Sequence, residues 1–162
     1  MTQQTKIFKF IAFAFILLSL IGFFDAAYLA IEHFRGAPVT CSVFEGCEKV
    51  TTSSYAAVGP IPVALLGAMY YIIIFFLAVV SLETGSWRII YAVSWFTIIG
   101  FLASLWFMYL QLFVIKAICP YCVASAITST LLFIAGIYVI IQNKNLNAPP
   151  KLKTTADNQN AK

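Results

Sequence analysis

Residues 61–82 read IPVALLGAMYYIIIFFLAVVSL, twenty-two positions without a charge. About 20 residues of apolar helix cross the roughly 30 Å of hydrocarbon in a bilayer, so this stretch is long enough to span one. Only helices and closed barrels satisfy their backbone groups in lipid. A barrel strand alternates apolar with polar residues, and this run is continuously apolar, so it reads as a helix. Ile89 to Ile115 and Ala117 to Ile141 carry the same signature, and Ile7 to Ile31 carries it with two charges, Lys9 near its start and Asp25 near its outer end. The chain therefore reads as an all-α integral membrane protein, one bundle of four transmembrane helices with an extracytoplasmic loop between the first and second. Residues 1–142 form that domain, and residues 143–162, rich in Asn, Lys and Thr with Pro149 and Pro150, read as a disordered cytoplasmic tail.

Composition agrees. The 162 residues are 62% hydrophobic and 10% charged, against roughly 25% charged in soluble domains. A chain this short keeps much of its surface in contact with solvent, so that solvent is lipid. The net charge of +4 is not a nucleic-acid surface, because its distribution follows the membrane. Lys6 and Lys9 lie at the start of the first span, Arg88 follows the second, and Lys144, Lys151, Lys153 and Lys162 follow the last, against Arg35, Lys49 and Lys116 on the other side. That asymmetry places both termini in the cytoplasm of a cell whose inner membrane the protein crosses. Lys6, Lys9 and Asp25-Ala26-Ala27 also fit a cleaved signal. The apolar run nevertheless continues through Tyr28 to Ile31, which suits a retained span.

The chemistry rests on four cysteines in two pairs: Cys41 and Cys47 in the polar loop, Cys119 and Cys122 at the mouth of the last span. Both pairs fall on the extracytoplasmic face, where disulfides persist. Cys119-Pro120-Tyr121-Cys122 is a C-x-x-C at a helix start. Its two sulfurs share a helical face, and the unpaired N–H groups there, with Lys116, are expected to stabilise a thiolate. Pro120 is tolerated because it lies in the first turn. A static disulfide is the plain alternative for one such pair. The second pair, separated by Ser42-Val43-Phe44-Glu45-Gly46, argues for exchange instead. Closing so small a loop adds little stability, whereas thiol–disulfide exchange moves electrons between pairs. No nicotinamide or flavin motif is present, so the acceptor is expected to be a membrane-soluble two-electron carrier; a quinone fits.

Other residues weigh less. Asp25 lies in the first span, where a charge is costly and marks function, although its position near the outer end also lets it reach water. His33 reads as an exposed loop residue. Trp87, Trp95 and Trp106 suit interfacial anchoring. Glu48 to Ser54 reads as a short interfacial helix, and Gln111 as a candidate quinone contact.

Taken together, Cys41-Ser42-Val43-Phe44-Glu45-Gly46-Cys47-Glu48-Lys49-Val50, Ser53 and Ser54, Gly59-Pro60-Ile61-Pro62 and the late Cys119-Pro120-Tyr121-Cys122 resemble the bacterial vitamin K epoxide reductase (VKOR) family. The resemblance covers roughly Ile7 to Ile141. It implies a four-helix bundle around a quinone (ubiquinone or menaquinone), with Cys122 nearest the quinone, Cys119 exchanging with Cys47, and Cys41 exchanging with a soluble partner. By the same resemblance Ser53 hydrogen-bonds a thiolate or a quinone oxygen. Two departures stand out. Gly59-Pro60 occupies the place of the family's frequent Phe-Gly, and Ala126 the place where animal members carry a tyrosine. The second implies reduction of an ordinary quinone rather than of an epoxide. The fused thioredoxin-like domain of some relatives is not expected, so the implied partner is a separate periplasmic thioredoxin-fold (DsbA-like) protein. The resulting expectation is a membrane thiol oxidase that makes disulfides in that partner and passes the electrons to quinone, without a metal.

Three rivals remain at this point. A DsbB-like oxidase places its C-x-x-C in the first outer loop, the reverse of this order. A carrier of thiophilic metal would use the thiolates as ligands, but no cysteine lies on the cytoplasmic side to receive an ion. A structural subunit would hold two static disulfides.

Overall fold

The computed structural model describes residues 2–36, 46–53 and 55–147. Cys41 and residues 148–162 of the tail lie outside them. In chain order the elements are α1 (Thr2–Arg35), α2 (Gly46–Thr51), β1 (Ala57–Val58), β2 (Ile61–Pro62), α3 (Val63–Thr84), α4 (Trp87–Tyr109) and α5 (Pro120–Asn147). A π-helical turn, Leu110–Ile115, continues α4. Four segments are long and apolar enough to cross a membrane: Lys6–Arg35, Val63–Thr84, Trp87–Ile115 and Pro120–Gln142. These are the spans read from sequence, with their ends moved.

The moved ends have local causes. α1 continues past Ile31 to Arg35, where the Arg35 guanidinium approaches the Glu32 carboxylate at 3.5 Å. It stops at Gly36, whose φ of +61° suits a residue without a Cβ, and whose N–H bonds the His33 carbonyl at 3.2 Å. The short interfacial helix runs from Gly46 to Thr51 rather than from Glu48 to Ser54. The Ser53 hydroxyl donates to the Val50 carbonyl at 2.8 Å just beyond its end. A small hairpin, with Ala57 opposite Pro62 and Gly59 at φ +64°, then delivers the chain to α3.

The four long helices form a ring in which α1 packs on α3 and α5, and α4 packs on α5 and α3. Phe15, Ile74, Ile90, Leu132 and Val139 fill its interior. Between α4 and α5, Gly136 lies so close to Thr97 that a Cβ there would collide with the Thr97 hydroxyl, and Phe101 and Phe133 stack with centroids 4.2 Å apart. The outer faces stay apolar, with Phe13, Phe76, Ile99 and Ile134 each more than half exposed. Burying such faces in lipid satisfies them without a protein partner. At one end of the ring Phe8 of α1 meets Trp87 of α4 at 5.1 Å, next in sequence to Lys9 and Arg88. At the other end Leu29, Cys47, Val50 and Cys119 form a separate buried cluster.

Candidate active site

The site begins at the connection between the π-helical turn and α5. Lys116 takes a left-handed backbone conformation, φ +53°, and its N–H and that of Ala117 both reach the Gln111 carbonyl. The Gln111 side-chain oxygen accepts the Cys119 N–H at 3.1 Å. Cys119 then serves as the cap of α5: its carbonyl accepts the Val123 N–H at 3.0 Å, the first bond of the helix. Pro120 occupies the first helical position, where its fixed φ fits and no N–H is missed. The Cys119 sulfur accepts from the Cys122 thiol and from the backbone N–H groups of Cys122 and Tyr121.

Those contacts hold the Cys119 thiol below its ordinary range, at about 7, with the hydrogen bond from Cys122 as the largest cause and the backbone N–H groups adding to it. Burial and the charge of Asp25 oppose the shift. The expected contribution of Lys116 is corrected here. Its side chain is exposed, on a left-handed turn, and is not among the groups that lower the Cys119 thiol. The helix N-terminus and the second thiol supply the stabilisation instead.

Cys119 and Cys122 are free thiols, whereas Cys47 is disulfide-bonded. Cys47 and Cys119 belong to one buried cluster, against which Cys122, Tyr121 and Ile115 also rest. Tyr121 in turn meets Tyr28 of α1, ring centroids 5.2 Å apart. The loop sulfur and the helix sulfur are thus brought together across some seventy residues of sequence.

Cys122 also lines a cavity of about 480 Å³ between the helices. Ligand pockets typically enclose about 300–1,000 Å³ with mostly apolar walls and a few polar groups. This cavity has that character. Leu29, Val50, Phe107 and Ile115 line it, with the polar groups of Gln111, Ser53, Tyr70 and Tyr71. Leu66 and Ile99, both lining it, are also exposed on the outer faces of α3 and α4, so the cavity is continuous with the lipid side there. The Tyr71 hydroxyl donates to the Ser125 carbonyl at 2.9 Å and lies 3.0 Å from the Ser125 hydroxyl. The Tyr70 and Ser129 hydroxyls are buried, close enough to influence each other, and without hydrogen-bond geometry to any described group. Buried unpaired hydroxyls carry a cost, which a carbonyl-bearing ligand removes by accepting from them. The cavity therefore fits a quinone, whose ring is apolar and whose polar atoms are carbonyl oxygens.

The sequence-read residues fall as follows. Cys47, Cys119 and Cys122 converge, and Gln111 and Ser53 line the cavity. The Ser53 hydroxyl proton is directed to Val50, which leaves the oxygen as an acceptor. His33 is corrected from a loop residue to the last turn of α1, half-buried and lining the cavity, because α1 runs farther than the apolar run suggested. Tyr70, Tyr71, Ser125 and Ser129 were not singled out by sequence. Hydroxyls inside otherwise apolar spans, Ser125 and Ser129 one turn apart and Tyr70 and Tyr71 adjacent, are the signal that marks them. Among the described residues no group of three or more His, Cys, Asp or Glu is arranged to hold a metal ion.

A four-helix membrane bundle that sets a thiol pair between a loop disulfide and an apolar cavity defines a multi-pass membrane oxidoreductase. The chain belongs to the vitamin K epoxide reductase family, whose sequence pattern matches residues 13–137. That family links disulfide and quinone redox chemistry in membranes. No individual curated protein matches the chain.

Proposed function

We propose that the protein is a thiol oxidase that generates disulfides in a periplasmic thioredoxin-fold partner and delivers the electrons to a membrane quinone. One observation carries this reading: Cys47 and Cys119 share a buried cluster while Cys122, one turn into α5, opens on the apolar cavity. The sulfurs thereby form a file from the loop to the lipid side. Each exchange in the file breaks one S–S bond and forms another. A partner thiolate attacks the loop disulfide at Cys41 and releases Cys47, and the partner's second thiol resolves the mixed disulfide and leaves the partner oxidised. Cys47 then attacks Cys119 of an oxidised Cys119–Cys122 pair, so that the Cys41–Cys47 bond re-forms and the Cys119–Cys122 pair is left as dithiol. A quinone supplies the terminal acceptor of two electrons and two protons. The protein's own groups bind and orient it: Tyr70 and Ser129 donate hydrogen bonds, and the apolar walls exclude water.

Several features support the finer points. The lysine and arginine asymmetry supports cytoplasmic termini and an inner-membrane location, which puts the sulfur end of the bundle in the periplasm. Ala126 on the cavity wall, in place of a tyrosine, supports an ordinary quinone over an epoxide as the acceptor. The test uses the reduced, detergent-solubilised protein with quinone added anaerobically, following quinol absorbance and free thiols together. Thiol loss matched by quinol formation, and abolished in Cys122→Ala, is the expected result. Intact thiols and no quinol would overturn the assignment in favour of static disulfides.

A further inference from the structure

Asp25 sits in α1, inside the first membrane span, and its Oδ2 atom is buried without a hydrogen-bond partner among the described residues. No lysine, arginine or histidine forms an ion pair with it among those residues. A carboxyl group held in this way costs several kcal/mol in apolar surroundings if charged and unpaired. The groups that face it explain its presence. From α3 the Tyr71 ring packs on Gly22 of α1, one turn before Asp25, and its hydroxyl bonds the Ser125 carbonyl of α5, one turn after Cys122. The charge of Asp25 also acts on Cys119, in the connection before α5. These are the titratable groups of the neighbouring elements that act with it. Tyr71 also lines the cavity and is anchored there on Ser125.

We propose that Asp25 is the proton-exchanging group of the thiol pair: it takes the proton that leaves when the pair ionises and returns it as the electrons move to the acceptor. The inference rests on the quinone-linked reading above. The balance requires such a group. Oxidising the Cys119–Cys122 dithiol breaks two S–H bonds, forms one S–S bond and releases two electrons and two protons. The quinone takes up both electrons and both protons, forming two O–H bonds. Cys119 is fully buried, so its proton has no direct path to water. A carboxylate and a thiolate within reach of each other's field repel, so the carboxyl binds a proton when the pair becomes negative and releases it when the pair becomes a neutral disulfide. Asp25 acts through Tyr71 toward the cavity and is, in this sense, a positioning residue for protons rather than a ligand of the acceptor.

The experiment is alkylation of the reduced, quinone-free protein across pH, comparing wild type with Asp25→Asn and Asp25→Glu. Asp25→Asn is expected to move the midpoint of the reactive thiol down by about half a pH unit or more, because a like charge is removed, and Asp25→Glu to restore it. In anaerobic single turnover with quinone, thiol loss in Asp25→Asn is expected to slow by about tenfold or more. Superimposable alkylation profiles would overturn the proposal, as would a shifted profile with thiol loss at the wild-type rate. If the relay reading itself were wrong, wild-type thiols would survive quinone while the shift between alkylation profiles remained.

Discussion

The side-chain oxygen of Gln111 accepts the backbone N–H of Cys119 at 3.1 Å, while the Gln111 carbonyl accepts that of Ala117, also at 3.1 Å. One residue thus clamps both limbs of the turn that presents the first sulfur of the C-x-x-C. The π-helical turn makes this possible, since the wider ladder of Leu110–Ile115 turns Gln111 inward, where it is 2% exposed. Such turns occur often at functional sites.

Replacing Gln111 by Met keeps the volume but strands the buried Cys119 N–H. The cost is about 1–3 kcal/mol, and because the N–H belongs to the α5 cap, it falls on the geometry of the thiol pair. Thermal unfolding should therefore occur at lower temperature, and thiol exchange at Cys119 should slow. Retention of wild-type exchange in a folded Gln111→Met protein would show that the clamp does not position the sulfur.

The Cys119 thiol, held down to about 7 chiefly by the Cys122 hydrogen bond, sets a pH dependence. Its sign follows from the lowered value: the thiolate is present above about 7 and is lost as pH falls through it. Since the thiolate is the nucleophile, alkylation should fall about tenfold per pH unit below that point. Cys122→Ala removes the hydrogen-bond donor and should raise the midpoint toward the ordinary thiol value of about 8.5. A midpoint in Cys122→Ala equal to that of wild type would assign the stabilisation to the helix N-terminus alone.

The spans and the sulfur end of the bundle were legible in the sequence because lipid imposes a one-dimensional rule: long apolar runs are the ones that can cross. Pro120 after Cys119 likewise announces a helix start, since proline fits the first turn and not the interior. The interior of the site was not legible, for reasons of geometry. Lys116 adopts a left-handed conformation usually reserved for glycine, so the turn that leads into the Cys119 cap had no sequence signal. Tyr70 and Tyr71 are adjacent in sequence, yet the Tyr71 ring lies on Gly22 of α1 and the Tyr70 ring on Gly100 of α4. Nothing in a uniformly apolar helix marks which tyrosine meets which glycine. His33 was misplaced because the polar residues at the end of α1 resemble loop sequence, while the Glu32–Arg35 contact extends the helix beneath them.

Ala126 offers a test of the cavity independent of the sulfurs. It lines the wall in α5, four residues after Cys122. Ala126→Phe places a ring in the space a quinone is to occupy, without touching the cap of α5. Quinone-dependent thiol loss should fall by about tenfold or more, since an overfilled pocket costs about 1–3 kcal/mol, whereas alkylation of the pair should remain at the wild-type rate. Equal loss in both assays would mean that the substitution disturbs the pair and not the acceptor site.

The glycine notches separate a role in shaping the cavity from a role in packing the bundle. A Cβ at Gly100 would collide with the hydroxyl end of Tyr70, and one at Gly136 would press on the Thr97 hydroxyl and approach the Ser94 carbonyl at 3.1 Å. Gly100 and Tyr70 line the cavity, while Gly136 lies on the α4–α5 seam. Gly100→Ala should therefore push the Tyr70 phenol from its place and raise the KM for quinone several-fold. Gly136→Ala should instead lower stability by about 1–3 kcal/mol through overpacking and leave KM near the wild-type value. Measuring KM and the unfolding midpoint for both variants decides the matter. If Gly100→Ala proved as destabilising as Gly136→Ala with KM unchanged, Tyr70 would be a packing residue and the hydrogen bond to the acceptor would have to come from elsewhere on the wall.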